Sequence, residues 1–157
     1  AAVPFETFKG SALGLISQHG RLERWGQKFQ GGIWTGGEWR DSQLKQRCEP
    51  EKAADGVIRC LPNAPYVWNE FADSQCQQPL LDAPCGAAYA SLFVPNQDVC
   101  VSGHKRIFAV GSPHQGAVYT ATVAGDCYQI TPHPRSQYFL LGAEIPPETF
   151  IAVEVSP

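Results

Sequence analysis

Apolar and polar residues alternate along several short stretches of this chain. The period is two in AVYTATVAGDC (117–127), which ends in a Gly-Asp turn, and again in FIAVEV (150–155). Such alternation is typical of β-strands. Two apolar runs bounded by turn formers, KRIFAVG (105–111) and SQYFLLG (136–142), predict strands that are buried. The pattern therefore predicts a chain built of short strands.

Turn formers divide the middle of the chain. Asp55-Gly56, a strong hairpin signal, lies within AADGVIRCLP (53–62) and predicts a β-hairpin. The overlapping segment DSQLKQRCEPEKAAD (41–55) contains good helix formers, but Pro50 interrupts it and leaves no continuous apolar stripe. We therefore expect a turn or two of helix there and no more.

The composition favours the same class of fold. Glycine and proline account for 15 and 13 of the 157 residues and are spread along the chain, which breaks any long helix. Hydrophobic residues make up 43%, an ordinary share for a globular protein, so a disordered chain is not expected. We expect one all-β domain over residues 1–157. It should be an antiparallel sandwich or barrel-like meander, with short helical turns at most, held together by disulfides.

Two segments of the chain resemble each other. YVWNEFADSQC (66–76) and YTATVAGDC (119–127) both begin with an aromatic residue and close on an acidic turn and a cysteine. If this is an internal repeat, a propeller-like arrangement is the alternative topology. A chance match in an all-β chain would carry no such information.

Several features indicate that the chain is exported. It contains no methionine, and its first residues, AAVPF, look like what remains after cleavage at a small-residue site. It has no hydrophobic run long enough to span a membrane. We therefore expect a protein that is secreted or held at the outer cell surface, with its signal peptide already removed.

The six cysteines indicate disulfides more than metal or redox chemistry. Their number is even and no two form a Cys-x-x-Cys pair; they are Cys48, Cys60, Cys76, Cys85, Cys100 and Cys127. The hairpin predicted at Asp55-Gly56 would bring Cys48 and Cys60 together, which favours a bond between these two cysteines. A short loop through two prolines favours Cys76–Cys85. The third bond, Cys100–Cys127, then follows by elimination.

The charge balance narrows the classes of partner. The net charge is −3, the pI is about 5.8, and no block of lysines and arginines occurs. Nucleic acids and anionic membranes are bound by basic surfaces, so neither is expected as a partner. Extracellular glycans, proteins and small molecules remain, and the oligomeric state is left open.

Part of the chain resembles a known family. Between Gly20 and Pro62 it has a strand RLERW, a Gly-containing turn, the segment WRDS, a cysteine and then AADGVIRCLP. Together with FADSQC and YFLLGAEIPPETF further on, this resembles a cysteine-containing domain of unknown function found in secreted proteins and lipoproteins of myxobacteria. The resemblance covers most of residues 20–153 and leaves 1–19 as an N-terminal extension. It implies an exported, bacterial, β-rich protein, and it implies no activity and no catalytic residue.

No motif for catalysis or metal binding stands out. The four histidines lie in Gly-, Ser- and Pro-rich surroundings, and none is three or four residues from another; they are His19, His104, His114 and His133. Ser102 and Ser112 each stand two residues before a histidine, but no nucleophile motif surrounds them. Glu38 and Asp41 form a conceivable carboxylate pair. We expect no catalytic residue, no metal and no cofactor.

Three classes of function remain. The first is a non-catalytic binding or cell-surface interaction module, with glycans among its candidate ligands, and there are two alternatives to it. One alternative is a small secreted hydrolase with dispersed catalytic groups. The other is a structural subunit of an extracellular assembly. An enzyme of this length normally shows a recognisable nucleophile, metal or carboxylate pattern, so the sequence favours the binding module.

Three of the four tryptophans lie among glycines in RWGQKFQGGIWTGGEW (24–39). If Ile33 faces the core, strand alternation turns Trp34 to the opposite face. We predict that Trp34, Trp39 and the neighbouring Asp41 form a ligand-binding patch that stacks on sugar rings or on a protein partner. Trp25 is expected to be structural. The alternative is that a second layer covers all three indoles.

Overall fold

The computed structural model describes residues 12–29, 34–84, 86–98 and 101–154. Within these ranges the chain forms twelve strands and a single 3₁₀ turn, Pro147–Thr149. Neighbouring strands of each sheet run antiparallel. The predicted all-β, antiparallel fold is confirmed.

A five-stranded meander forms the first sheet. Its strands follow one another in chain order and are β1 (Ala12–His19), β2 (Leu22–Lys28), β3 (Trp34–Asp41), β4 (Gln46–Lys52) and β5 (Ile58–Pro62). β1 lies within the predicted N-terminal extension, and it pairs with β2 over its whole length. The sheet curls into half of a barrel, in agreement with the predicted barrel-like meander.

The remaining strands form two smaller sheets. They are β6 (Glu70–Phe71), β7 (Leu80–Asp82), β8 (Tyr89–Val94), β9 (His104–Pro113), β10 (Val118–Ala121), β11 (Cys127–Ile130) and β12 (Tyr138–Glu144). The four-stranded sheet has the order β7-β12-β9-β8, and the three-stranded sheet has the order β11-β10-β6. The strands predicted from the patterns at 105–111, 117–127 and 136–142 correspond to β9, β10 and β12.

Clusters of buried apolar side chains join the three sheets. Leu61, Ile107 and Phe150 pack together where the first sheet meets the four-stranded sheet. Leu80 and Val118 pack together between the four-stranded and three-stranded sheets. Each buried side chain of this size stabilises the fold by about 1.5–3 kcal/mol. These apolar contacts therefore hold the three sheets, and the strands within them, in fixed positions relative to one another.

The predicted hairpin and its disulfide are confirmed. β4 and β5 pair on either side of a turn in which Gly56 has a φ of 80°, a left-handed conformation that favours glycine. Cys48 and Cys60 are bonded across this hairpin, with their Cα atoms 5.1 Å apart. Both cysteines are buried, so the bond also forms part of the core of the first sheet.

The helical turns allowed for residues 41–55 are not formed, because the segment makes a turn and then enters β4. Pro50 is tolerated in that strand because its missing N–H is not needed. Cys60, opposite Pro50, directs its own N–H away from β4 to the carbonyl oxygen of Ile151, at 2.9 Å. On the other side, β3 pairs with β4 only as far as Cys48. Pro50 therefore leaves no ladder hydrogen bond unmade.

The segment FIAVEV is extended as predicted, but it is too weakly paired to form a full strand. Ala152 forms an isolated bridge with Arg59 of β5, and backbone hydrogen bonds of 2.9 Å lie on either side of that bridge. The contact is limited because the segment leaves the 3₁₀ turn at Phe150 and already reaches Ile58, the first residue of β5, at Val153. Residue 155, the last of the predicted strand, lies outside the described residues.

The second disulfide corrects the sequence prediction. Cys76 is bonded to Cys127, with their Cα atoms 5.8 Å apart, so the predicted Cys76–Cys85 and Cys100–Cys127 bonds are wrong. The reason is a non-local pairing that the spacing of cysteines does not show. β10 pairs with both β6 and β11, and the loop after β6 reaches the first residue of β11, Cys127, whose Sγ lies 3.8 Å from the carbonyl oxygen of Asp73. Cys85 and Cys100 lie outside the described residues.

The two similar segments are neighbours in one sheet and not separate blades. Phe71 of β6 pairs with Tyr119 of β10, and the disulfide links the cysteines at which the two segments end. The propeller-like alternative is therefore not the arrangement of the described strands.

The Cys76–Cys127 bond closes a loop with a sequence separation of 51 residues. Replacing both cysteines by serine should lower the free energy of unfolding by about 4 kcal/mol, because the unfolded chain regains the entropy of that loop. Urea denaturation measures this loss. The matched Cys48→Ser/Cys60→Ser variant opens a loop of 12 residues, worth about 3 kcal/mol of entropy, and also loses core packing. Non-reducing peptide mapping that linked Cys76 to Cys85 would contradict the assignment.

Candidate functional site

A β-bulge in β3 decides which way the tryptophans face. β3 has one more residue than β2 between two paired stretches, and the extra residue falls at Gly36-Gly37. Gly36 has a φ of 75°, which lets the strand accommodate the bulge. Trp34 and Trp39 are five positions apart, so regular alternation would place them on opposite faces. The extra residue places both on the same face of the first sheet.

That face, which we call the inner face, is the one that carries the buried cysteines of β4 and β5. Trp39 packs against the buried cluster of Leu22, Cys48 and Cys60, so most of this indole belongs to the core. The guanidinium carbon of Arg24 lies 5.6 Å from the centre of the Trp39 ring. Trp39 therefore packs against the core and also has a cation over its ring.

Trp34 is the more accessible indole of the inner face, with 36% of its surface exposed. The Lys28 ammonium lies 5.7 Å from the centre of its ring. The ring also lies against Gly14 of β1, where a Cβ would come within 2.9 Å of it, so only glycine fits there. Trp34 and Trp39 thus share a face as the predicted patch requires, although mainly Trp34 is open to a ligand. Ile33 lies outside the described residues.

Asp41 does not lie on that accessible surface. It is 1% exposed, and its Oδ2 accepts hydrogen bonds from Nε and Nη2 of Arg21 at 2.9 and 2.5 Å. Its Oδ1 accepts from the backbone N–H groups of Gln43 and Leu44. Arg21 also donates to the carbonyl oxygen of Thr149 at 2.6 Å. Asp41 therefore holds the turn after β3 to the C-terminal segment, and its carboxylate is fully engaged.

Trp25 faces the other way, on what we call the outer face of the first sheet. Its indole Nε1 donates a hydrogen bond to Glu23 at 2.7 Å, and the ring is half-buried. Glu38 lies opposite Trp25 on β3 and shares its face. Because Asp41 points inward, Glu38 and Asp41 project from opposite faces and do not form the carboxylate pair that a glycosidase would need.

A cluster of exposed aromatic residues lies along β8 of the four-stranded sheet, and the sequence patterns did not predict it. Trp68, Tyr66 and Phe93 are 72%, 41% and 52% exposed. The rings of Tyr66 and Trp68 are 6.2 Å apart and tilted by 56°. We call these three residues the aromatic surface. The signal was present in PYVWN, where two aromatic residues alternate with valine directly after a proline.

The aromatic surface is built on the free edge of β8. The segment that carries Tyr66 and Trp68 runs parallel to β8, with Val67 donating to Ser91 and Ser91 donating to Pro65, both at 2.8 Å. Val67 is buried against the four-stranded sheet, so its two aromatic neighbours project from the opposite side. The parallel register also brings Trp68 level with Phe93.

A buried ion pair supports this surface. The side chain of Lys105 is 7% exposed, and its Nζ lies 2.6 Å from Glu51 and 4.9 Å from the centre of the Tyr66 ring. Burial by itself lowers the pKa of Lys105, but the hydrogen bond to Glu51 and the contact with Tyr66 raise that pKa above its ordinary value. Lys105 therefore stays charged and fixes the Tyr66 ring over the sheet. Phe93 lies beside Lys105 as its partner across the β8–β9 pair.

The histidines and serines do not assemble a catalytic group in the described part of the chain. His114 lines a hollow of about 480 Å³ together with Ser136 and Tyr138. Its Nε2 lies 2.9 Å from the carbonyl oxygen of Ala117, in its own turn. Ser136 donates its hydroxyl to Asp82 at 2.6 Å and not to a histidine. Among the described residues, no hydrogen bond joins a serine hydroxyl to a histidine ring, so the arrangement adds no support to the hydrolase alternative.

The described ranges also contain no group of three or more His, Cys, Asp or Glu side chains placed to hold a metal ion. Within the same ranges, no helix has the length and apolar character that crossing a bilayer demands.

Glu70 is an unusual carboxylate at the junction of the two smaller sheets. Its Oε2 is buried and has no hydrogen-bond partner. Burial, and then the nearby charge of Asp82, raise the pKa of Glu70 above its ordinary value of 4.5. Asp82 itself accepts hydrogen bonds from the Ser136 hydroxyl and from the backbone N–H of Gln137. The folded state therefore favours the protonated form of Glu70.

Comparison of the chain with protein-family models, with curated proteins and with solved structures finds no match. The resemblance to the myxobacterial domain stays a prediction.

If Asp41 anchors the fold, Asp41→Asn should lower the free energy of unfolding by about 2–4 kcal/mol, because the change leaves the half-buried Arg21 without its counter-charge. Thermal and urea denaturation measure this loss. Glu38→Gln is the matched control. This change breaks the 3.0 Å ion pair with Arg47, in which the Arg47 side chain is 68% exposed and the Glu38 side chain 49%. Because the pair is exposed, the free energy of unfolding should fall by less than about 0.5 kcal/mol. Equal losses in the two variants would contradict the assignment.

Glu70 should make stability depend on pH. Because its pKa is raised in the folded state, the stabilisation from its proton is complete below pH 4.5 and is lost as the pH rises through the raised pKa. The free energy of unfolding of the parent, relative to Glu70→Gln, should fall as the pH rises above 4.5. Urea titrations between about pH 4 and pH 8 measure this difference. A difference that stays constant over that range would refute the account.

Proposed function

We propose that this protein is an exported, non-catalytic binding module that recognises a glycan at the aromatic surface of Tyr66, Trp68 and Phe93. The observation that carries the proposal is the exposure of Trp68, 72% of whose surface is accessible although tryptophan is highly buried on average. The Tyr66 ring lies 6.2 Å from the Trp68 ring, and the register of this segment with β8 brings Trp68 level with the exposed Phe93. A continuous exposed apolar area usually marks an interaction site.

Sugar rings suit this surface better than a wholly apolar partner does. The apolar face of a sugar stacks on an aromatic ring, and its hydroxyl groups need polar neighbours at the rim. Glu51, whose side chain is 31% exposed, places a carboxylate next to the contact between Tyr66 and the buried Lys105. A net charge of −3 without a basic block gives no support to nucleic acid as the ligand.

The predicted patch at Trp34 and Trp39 is kept as a second, smaller contact. Trp34 offers part of one ring between Lys28 and Gly14, whereas Trp39 is largely covered by the core. Asp41 no longer belongs to this patch, because its carboxylate is buried and fully bonded.

Export is proposed on the cysteines. The Cys48–Cys60 and Cys76–Cys127 bonds are consistent with an oxidising compartment, where such bonds persist. The resemblance to secreted proteins and lipoproteins supports the same location, at the outer cell surface or beyond it.

The test is to apply the parent and Trp68→Ala to a glycan array and to measure affinity for any ligand found. Truncating a central tryptophan typically costs about 2 kcal/mol or more of binding free energy, so affinity should fall at least about thirtyfold. The melting temperature should change little, because the side chain is mostly exposed.

Two variants serve as controls. Val123→Ala removes an exposed apolar side chain from the turn between β10 and β11 and should leave both affinity and stability unchanged. Trp34→Ala tests the smaller contact and should weaken binding less than Trp68→Ala does. A parent protein that binds no glycan, or binding that survives Trp68→Ala and is abolished by Trp34→Ala, would contradict the proposal.

A further inference from the structure

Three cationic side chains surround a hollow on the outer face of the first sheet, away from the aromatic surface. They are Arg40 on β3, Lys45 in the following turn and Arg47 on β4, and the hollow has a volume of about 240 Å³. Glu38 is the one acidic residue of the lining. Positive charge is thus concentrated at one point of a protein whose net charge is −3.

The two arginines oppose each other directly. Arg40 and Arg47 are partners across the β3–β4 pair, a position in which like charges destabilise a sheet. Glu38 relieves only one of them, through its 3.0 Å ion pair with Arg47. Glu23 lies opposite Arg40 on β2, but it accepts the hydrogen bond of Trp25, and no ion pair joins it to Arg40. The repulsion between the arginines is therefore left only partly compensated within the described residues.

The rest of the hollow is apolar. Trp25 and Leu13 line it, and Leu13 is 61% exposed. The aromatic wall suits the face of a ring, and the guanidinium groups suit the planar oxygens of a carboxylate or sulfate. Binding sites of drug-sized ligands measure about 300–1,000 Å³, so a smaller hollow fits a single ring-sized group.

We propose that this hollow binds an acidic sugar unit, with its carboxylate or sulfate between Arg40 and Arg47 and its ring against Trp25. An anionic group placed there relieves the repulsion between Arg40 and Arg47. The unfavourable pairing of the two arginines is then explained as part of a binding site for an anion. This site is independent of the glycan site at Trp68. Nucleic acid is the less suitable occupant, because its backbone needs an extended basic groove and here the charge is confined to one hollow.

The experiment uses three oligosaccharide probes in calorimetric titrations: oligogalacturonate for the carboxylate, dextran sulfate oligomers for the sulfate, and uncharged maltohexaose. We expect one or both acidic probes to bind and the uncharged probe not to bind. Affinity should fall as salt is raised, because the contact is partly exposed. The two acidic probes distinguish which anion the hollow accepts.

Arg40→Gln and Arg47→Gln should each weaken binding of the acidic probe at least about tenfold, because each removes charge-assisted hydrogen bonds to the anion. Arg135→Gln is the matched control, since it removes one positive charge from the exposed loop between β11 and β12, and it should change affinity by less than about twofold. Without ligand, Arg40→Gln should melt no lower than the parent, because it removes the repulsion. Trp68→Ala should leave binding of the acidic probe unchanged.

Three results would overturn the proposal. The first is a parent protein that binds neither acidic probe. The second is a loss of affinity in Arg135→Gln equal to that in Arg40→Gln, which would mean unspecific attraction of anions. The third is duplex DNA binding as tightly as the sugars with the same sensitivity to Arg40→Gln, which would assign the hollow to nucleic acid. A loss of acidic-sugar binding in Trp68→Ala would merge this site with the one proposed at the aromatic surface.

Discussion

The buried ion pair between Arg21 and Asp41 determines how the C-terminal segment crosses the sheets. Asp41 lies at the end of β3 and accepts two hydrogen bonds from Arg21, whose Nη2 also reaches the carbonyl oxygen of Thr149. The next residue, Phe150, is almost fully buried where the first sheet meets the four-stranded sheet. Removing either charge would leave its partner without a counter-charge in a largely buried site. The loss of stability would be far larger than that from breaking an exposed ion pair. This polar contact therefore acts together with the apolar cluster around Phe150 in holding the two sheets together.

This framework explains why some tryptophans are covered and another is exposed. The bulge at Gly36-Gly37 turns Trp34 and Trp39 to the inner face, where the cysteine cluster covers most of Trp39. Trp68 instead belongs to a short segment that closes the free edge of β8, with nothing packed outside it in the described residues. Its neighbour Val67 packs in the apolar cluster of the four-stranded sheet, and Tyr66 is held by the Lys105–Glu51 pair. The rings are thus fixed in place and still accessible, which is the combination that a binding surface requires.

Local patterns predicted local structure well. The period of two, the apolar runs and the Asp55-Gly56 turn were sufficient for the all-β class, for several strands and for the Cys48–Cys60 bond, because each depends on residues close in sequence. The Cys76–Cys127 bond depends on the pairing of β6 with β10, which no spacing reveals. The site was predicted less well. Trp34 and Trp39 share the face that the predicted patch requires only because of a bulge, which regular alternation does not anticipate. The exposure of Trp68 follows from its place at a sheet edge, which depends on a non-local pairing with β8.

The central claim is that Trp68 lies in the binding surface. The most direct measurement is heteronuclear NMR of the indole N–H signals of the four tryptophans, recorded while a glycan that binds the protein is added stepwise. The account predicts that the Trp68 signal shifts with the ligand, while those of Trp25 and Trp39, which are held by Glu23 and by the core, stay in place. A titration in which the Trp68 signal stays unchanged while the Trp34 or Trp39 signal shifts would contradict it.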